Sequence, residues 1–329
     1  MIVTVTLNPS LDRTVEVAEL ARGAMVRSTA TRLDPGGKGV NVARALAAHG
    51  VPACAVVTRN GPDGRQLTDL LAAEGIDVCA VPVSGHTRSN ISLVEPDGTV
   101  TKVNEPGGPL TSDDLDAVFA AVLSVAADAD WVVASGSLPP GVPHDFYAVL
   151  GKLVADLGVR FAVDTSGPPL AAALGAKPTL VKPNRTELAE TVGFRIDVLA
   201  DAVRAAEAMR TAGASTVLAS LGADGAVLVD AHGVHYGEAK VDNRRSAVGA
   251  GDAMLAGFLA AGETGRDALT EALSWGAAAV RFPGSRMPGP NDVDPDGVSV
   301  HAIPDLARPL GGPHSELPTG WRTTDDNHR

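Results

Sequence analysis

Cysteine is almost absent from this chain, with Cys54 and Cys79 the two present. That is too few for a disulfide framework or a cysteine-based metal site, so the expected setting is a reducing compartment, the cytoplasm. Aromatic residues make up only 3% of the sequence, which leaves little on which nucleobases could stack. Basic residues are outnumbered, 27 Lys and Arg against 39 Asp and Glu, for a net charge of −12. This balance argues against nucleic acid or an anionic membrane surface as the main partner, and any anionic ligand must meet cations placed locally. No stretch approaches the ~18 uncharged apolar residues of a membrane span. Residues 1–7 are apolar but lack a basic leader, so they read as a first strand. Gly-x-Gly-x-x-Gly, Gly-x-Ser-x-Gly and His-Glu-x-x-His are also missing, which removes the simplest dehydrogenase, hydrolase and zinc-protease readings.

What is present is a rhythm of short β-rich runs alternating with Ala/Leu-rich segments, the pattern of a parallel sheet covered by helices on both faces. Strands are expected over 2–7, 53–58, 131–134, 161–164, 180–182, 216–220 and 226–229. Helices are expected over 40–49, 64–74, 112–127, 144–157, 186–192, 199–212 and 253–261. In the first helix Val40, Ala43, Leu46 and Ala47 share a face that should pack on the sheet. Residues 13–34 and 89–105 break the rhythm with polar-alternating strands, including a hairpin about Asp97-Gly98, and are expected to form a small separate sheet acting as a lid. The exposed edges of such a sheet favour pairing with a second copy, a homodimer through the lid. From Pro304 onward Pro, Gly and charged residues replace the apolar pattern, so 304–329 is expected to be a disordered tail. Trp131 and Trp275 read as packing residues, His232 and His235 as surface residues.

Val248-Gly-Ala-Gly-Asp252 is a glycine-rich turn into a small-residue apolar segment. It reads either as an Asp cap on an ordinary helix or as an anion cradle of backbone N–H groups with a carboxylate beside it. Asp34-Pro-Gly-Gly-Lys-Gly-Val-Asn41 is a second such turn, with Lys38 as a point charge, Asn41 in the first helical turn, and no P-loop spacing. It suits a polyhydroxylated or phosphorylated ligand, or is a purely structural turn. His86-Thr-Arg-Ser-Asn90 puts Arg88 and Asn90 on one face of an extended segment, where Arg88 could fork a phosphate or be a surface residue. Asp12, just after the first strand, would lie at the ligand-bearing carboxyl edge and accept sugar hydroxyls. Lys182-Pro-Asn-Arg-Thr-Glu187 spaces Asn184 and Glu187 as a capping box. Ser220-Leu-Gly-Ala-Asp-Gly225 and Ser135-Gly-Ser137 are strand-to-loop exits, each weak alone.

Together these six motifs, in this order from about residue 1 to residue 300, resemble the PfkB, or ribokinase-like, sugar kinases. Pro35-Gly-Gly-Lys-Gly-Val-Asn-Val-Ala-Arg44 looks like that family's first signature, and Val248-Gly-Ala-Gly-Asp-Ala-Met-Leu-Ala-Gly257 like its second. The resemblance implies a three-layer α/β/α fold with a mainly parallel sheet and a β lid, as one kinase domain over 1–303. It implies ATP and Mg2+ as cofactors, with Asp252 as base and the amides of Gly249, Ala250, Gly251 and Asp252 as anion hole. By the same carry-over Asp12, Gly37, Lys38, Asn41, Arg88, Asn90 and Ser137 would hold a sugar phosphate, with Arg27 in the lid adding a contact. Lys182, Asn184, Ser220, Gly222 and Gly225 would bind the nucleotide, and Glu187 the metal through water. Ala247 departs from the pattern, since relatives often carry Ser or Thr there. Within the family the combination is similar to the phosphosugar branch, so the expected acceptor is a ketohexose phosphate, fructose 1-phosphate before tagatose 6-phosphate or fructose 6-phosphate. Lys38 with Arg88 argues against an unphosphorylated acceptor. A non-catalytic sugar- or nucleotide-sensing protein on the same fold is the reading from a different class.

Overall fold

The protein is described by a computed structural model over residues 1–262, 265–302 and 304–311. Its first half contains β1 (Ile2–Thr6), β2 (Ser10–Val17), β3 (Ser28–Gly36), α1 (Lys38–Ala48), β4 (Ala53–Arg59), α2 (Gly61–Ala73), β5 (Asp77–Pro82), β6 (Arg88–Val94), β7 (Val100–Asn104) and α3 (Ser112–Ala126). The second half continues with β8 (Trp131–Ser135), α4 (Phe146–Asp156), β9 (Arg160–Asp164), α5 (Gly167–Leu174), β10 (Leu180–Val181), α6 (Arg185–Val192) and α7 (Leu199–Thr211). After these come β11 (Thr216–Ser220), β12 (Ala226–Asp230), β13 (Gly233–Ala239), α8 (Ala250–Ala260), α9 (Gly265–Val280) and β14 (Val298–His301).

Among the described residues ten strands form one sheet, in the order β14-β13-β12-β11-β10-β9-β8-β1-β4-β5. From β5 to β11 neighbouring strands are parallel, while β12, β13 and β14 close the far edge antiparallel. Strands covered on both faces must be apolar on both faces, and alternate residues accordingly feed two cores. Val3, Val5, Val132 and Ala134 pack with Val118, Phe146, Leu150, Leu188 and Met209 of the helices α3, α4, α6 and α7. Ile2, Trp131 and Val133 face the other way, onto Val40, Leu46, Leu71, Phe258 and Trp275 of α1, α2, α8 and α9. The result is the three-layer α/β/α architecture that the resemblance implies. A second sheet, β3-β2-β6-β7, touches α2 through β2 and β3 and stands beside the carboxyl ends of the central strands.

Several elements differ from the sequence reading. Strands β5, β13 and β14 and helices α5 and α9 add to the expected set. Asp34 and Gly36, read as part of a turn, lie at the end of β3, and Asp12, expected just after the first strand, is carried there by β2. The segment 304–311, read as part of a disordered tail, is packed: Leu199 and Ala200 donate their amides to the carbonyls of Arg308 and Leu306, and Leu310 is buried. The apolar Leu310 and the paired backbone outweigh the Pro/Gly-rich composition there. The remainder of the expected tail, 312–329, lies outside the described residues.

Candidate active site

Helix α8 begins at Ala250, and its cap residue Gly249 adopts a left-handed conformation with φ +78°. A side chain there would be strained; the Ala250 amide donates to the Ala247 carbonyl at 3.4 Å, while those of Gly251 and Asp252 have no partner among the described residues. Asp252 therefore stands in the first turn and not at the cap. Its carboxylate makes no capping bond; instead Asn41 Nδ2 donates to Asp252 Oδ2 at 2.8 Å. Because α1 starts at Lys38 behind Gly37, Asn41 sits one turn into α1 and faces α8. Thus the two glycine-rich turns meet.

A second set of charges lies at the carboxyl ends of β9 and β10. Asp164, the fully buried last residue of β9, is gripped by Lys38 Nζ at 2.8 Å and Lys182 Nζ at 3.1 Å. Lys38 also reaches Glu187 Oε1 at 3.2 Å. Asn184 and Glu187 form a complete capping box: Asn184 Oδ1 accepts from the Glu187 amide at 2.9 Å, and Glu187 Oε2 from the Asn184 amide at 2.8 Å. Glu187 thereby serves as a cap through one oxygen and as an acidic site residue through the other. Ser220 is bridged to Asn184 at the end of β11, and Gly222 and Gly225 flank the short turn that follows.

The titration behaviour follows from this crowding. Burial and the nearby Asp164 charge push Asp252 up to about 6, against the counteracting pull of Lys38, Asn41 and Lys182. Burial would also raise Asp164, but Lys182 and Lys38 outweigh it and hold that carboxyl below its ordinary range. Desolvation opposes the charge on Lys38, yet Asp164 and Glu187 hold it well above a normal lysine. One carboxylate is thus fixed in its charged form while its neighbour is poised to take up a proton near neutrality, the division of roles that general base chemistry requires.

On the side of the small sheet, Asn90 Nδ2 donates to Asp12 Oδ1 at 2.9 Å and Ser10 Oγ donates to the same oxygen at 2.7 Å. Burial raises Asp12, partly offset by these two donors. A Cβ at Gly36 would run into the Asp12 carboxyl group and displace it from Ser10 and Asn90. Arg88 is half-buried; its Nε donates to the Asn8 carbonyl at 3.2 Å and its Nη1 to the Glu105 carbonyl at 3.1 Å. Its Nη2 makes no hydrogen bond among the described residues and remains available for an anion. Asn8 Nδ2 donates to Ser137 Oγ at 3.2 Å, which ties that loop to the same cleft. The Oδ1 atoms of Asn41 and Asn90 are buried acceptors with no partner among the described residues.

The structure thus gathers the sequence-predicted residues into two connected groups, Asp12, Gly37, Arg88, Asn90 and Ser137 on one side and Lys182, Asn184, Glu187 and Ser220 on the other. Lys38, Asn41 and the turn from Gly249 to Asp252 lie between them. Arg27 is not brought in. It is exposed just before Ser28, which pairs with Val17 at the outer end of the β2–β3 hairpin, whereas Asp12 pairs with Asp34. Six residues of strand separate these positions, roughly 20 Å. A cavity of about 590 Å³, lined among others by Lys240, Arg245, Ala277, Arg281 and Phe282, opens beyond the end of β13. Ser220, Gly222 and Gly225 do not line it; their turn is tied by the Tyr236 hydroxyl, through the Asp224 carbonyl, to β13, the strand whose last residue Ala239 does. No motif marks Asp164 in the sequence, yet it ends an expected strand, the same placement that singles out Lys182 and Ser220.

Comparison with known proteins agrees with this geometry. The family model described as pfkB family carbohydrate kinase matches residues 5–290. A 1-phosphofructokinase of Rhodobacter capsulatus is 40% identical over 274 residues, covering 81% of this chain and 85% of that protein. A 1-phosphofructokinase of Haloferax volcanii is 37% identical over 89% of this chain and 95% of its own length. The crystal structure of phosphofructokinase-2 from Escherichia coli in complex with potassium superposes with a TM-score of 0.84 at 34% identity, covering 88% of this chain and 96% of that one. With two glycine turns meeting at a poised carboxylate, and with a family match that spans nearly the whole fold, the chain belongs to the pfkB family of carbohydrate kinases.

Proposed function

We propose that this enzyme transfers the γ-phosphoryl group of ATP to the 6-hydroxyl of fructose 1-phosphate, giving fructose 1,6-bisphosphate. The observation that carries the proposal is the Asn41–Asp252 contact, which sets a raised-pKa carboxylate at the junction of a cationic, acceptor-rich cleft and the N-terminus of α8. The Arg88 guanidinium and its free Nη2 suit the sugar phosphate, while Asp12 and the Oδ1 atoms of Asn41 and Asn90 suit sugar hydroxyls. Asp252 accepts the proton of the attacking hydroxyl as its oxygen bonds to the γ-phosphorus, and the bond to the bridging oxygen of ADP breaks. The amides from Gly249 to Asp252 and the Lys182 ammonium stabilise the charge that builds on the transferring group. Lys182 Nζ would stand 3.3 Å from a Cβ placed on Gly251, close enough to share an anion with the turn. The nucleoside would lie toward the cavity beside Arg245 and Phe282, with Ser220, Gly222 and Gly225 at its edge.

Magnesium fits this site as an ion held largely by phosphate oxygens and water. Asp164 and Glu187 are hard oxygen donors that already attract the Lys38 ammonium, and no group of three or more metal-binding side chains occurs among the described residues. Bound there, Mg2+ would neutralise the donor phosphates. A homodimer through the small sheet accords with the exposure of Met25, Val100 and Val103 at 83%, 46% and 55%. No helix among the described residues is long and apolar enough to cross a membrane, which accords with an enzyme of the cytoplasm.

The test is ADP release in a coupled assay with fructose 1-phosphate, tagatose 6-phosphate, fructose 6-phosphate and unphosphorylated fructose. The highest kcat/KM should belong to fructose 1-phosphate. A preference for free fructose would remove the phosphate assignment of Arg88, and no release with any of them would favour a sensing protein.

A further inference from the structure

The loop after α9 runs past both halves of the site, and two arginines hold it there. Arg44, one turn beyond Asn41 on α1, is buried at 7% exposure. Its Nη1 donates to the Ser285 carbonyl at 3.1 Å and the Pro35 carbonyl at 3.3 Å. One nitrogen thus ties the root of β3 to this loop, while Glu74 takes the rest of the guanidinium through bonds of 2.7 and 2.8 Å. Ser285 and Met287 in turn abut Gly249, the cap of the catalytic turn.

The second arginine comes from the small sheet itself. Arg32, in the middle of β3, donates from Nη2 to the Pro283 carbonyl at 3.4 Å and from Nε to Asp34 Oδ2 at 2.7 Å. The guanidinium sits so tightly against Gly284 that a Cβ there would overlap its Nη2. Pro283 and its neighbour Phe282 line the cavity beyond β13. A side chain on the strand that carries Asp34 opposite Asp12 therefore rests on the wall of the nucleotide side.

We infer that Arg32 is a positioning residue that latches the small sheet to the loop Pro283–Ser285, so that sugar phosphate on the sheet and nucleotide beside the loop bind cooperatively. This rests on the assignment of the two halves made above. Arg44 supplies the fixed anchor of the loop, and Arg32 the anchor that travels with the sheet. A shift of β3 on sugar binding is passed through one guanidinium to the wall of the cavity, and by reciprocity nucleotide binding favours the sheet position that holds the sugar.

Titration of ADP with magnesium, with and without saturating fructose 1-phosphate, measures the coupling directly. The wild type should bind ADP about five- to tenfold more tightly with the sugar phosphate present. In Arg32→Ala the two affinities should converge to within about twofold. Amide hydrogen exchange over residues 281–287 of the ligand-free protein should also be faster in Arg32→Ala, because one anchor of the loop is gone. Equal ADP affinities in the wild type, or a wild-type ratio retained in Arg32→Ala, overturns the inference. If fructose 1-phosphate alone does not bind, the assigned substrate is wrong, and the exchange result decides whether Arg32 holds the loop.

Discussion

Asn41 and Asp252 lie 211 residues apart in sequence and 2.8 Å apart in space. The bond fixes one carboxylate oxygen of Asp252, and the other makes no hydrogen bond among the described residues. Asp252→Asn keeps the size and the capacity to accept from Asn41 but cannot take a proton. We expect kcat to fall by about 10²–10⁴, with the affinity for fructose 1-phosphate, measured by calorimetry, altered little. Near-normal turnover would show that another group removes the proton.

The pH profile should carry the same residue. A base that titrates at about 6 is protonated below that pH, so kcat/KM should rise through about pH 6 and level off above it. The positive charge of Lys38 lowers the Asp252 pKa. Lys38→Met should therefore move the acid limb to higher pH, besides reducing turnover. A limb that stays in place, or moves downward, would separate it from Asp252.

Arg88 is held by two backbone carbonyls, of Asn8 and Glu105, and not by a carboxylate contact. The carboxylates of Asp12 and Glu105 act on it without a direct ion pair, so the guanidinium can still meet a ligand anion. Arg88→Ala should raise the KM for fructose 1-phosphate at least about tenfold, equivalent to a charged hydrogen bond of about 1.5–3 kcal/mol, while the KM for ATP changes little. An equal loss with unphosphorylated fructose would argue that Arg88 supports the loop and not the phosphate.

These residues were legible before the fold was known because each belongs to a local pattern: a glycine turn feeding a helix, a strand exit, or an i, i+2 pair. The central strands were legible for a similar reason, since double burial writes apolar runs such as residues 53–57 of β4 and 131–134 of β8. The edges were not. β5 is half-exposed and ends in Pro82, and β14 spans four residues with one buried, so neither carries a clean period of two. α9 buries mainly Ala, Gly and Ser beside Leu and Trp, and small residues blur the contrast on which an amphipathic reading depends. Arg32 and Arg44 act through contacts more than 240 residues away, for which no local pattern exists. Residues 304–311 show the opposite error, where composition concealed a segment fixed by Leu310 and the Arg308–Glu238 pair at 2.6 Å.

The same carboxylate that is suited to catalysis should weaken the fold. In the unfolded chain an aspartate titrates at its ordinary value of 3.8, and in the folded protein Asp252 titrates at about 6. Between those values the native state binds more protons than the unfolded one, so stability gained from this group increases as pH falls. The penalty is complete above about 6, where the buried charge faces Asp164, and vanishes below the unfolded value. Asp252→Asn removes the charge at every pH. It should therefore stabilise the protein at pH 7.5 by about 1–3 kcal/mol, a rise of a few degrees in Tm, and the advantage should shrink toward pH 5. Thermal unfolding of both proteins across that range, without ligands, provides the measurement. A variant no more stable than the wild type at pH 7.5, or one whose advantage does not change with pH, would mean that Asp252 is not held against its own charge.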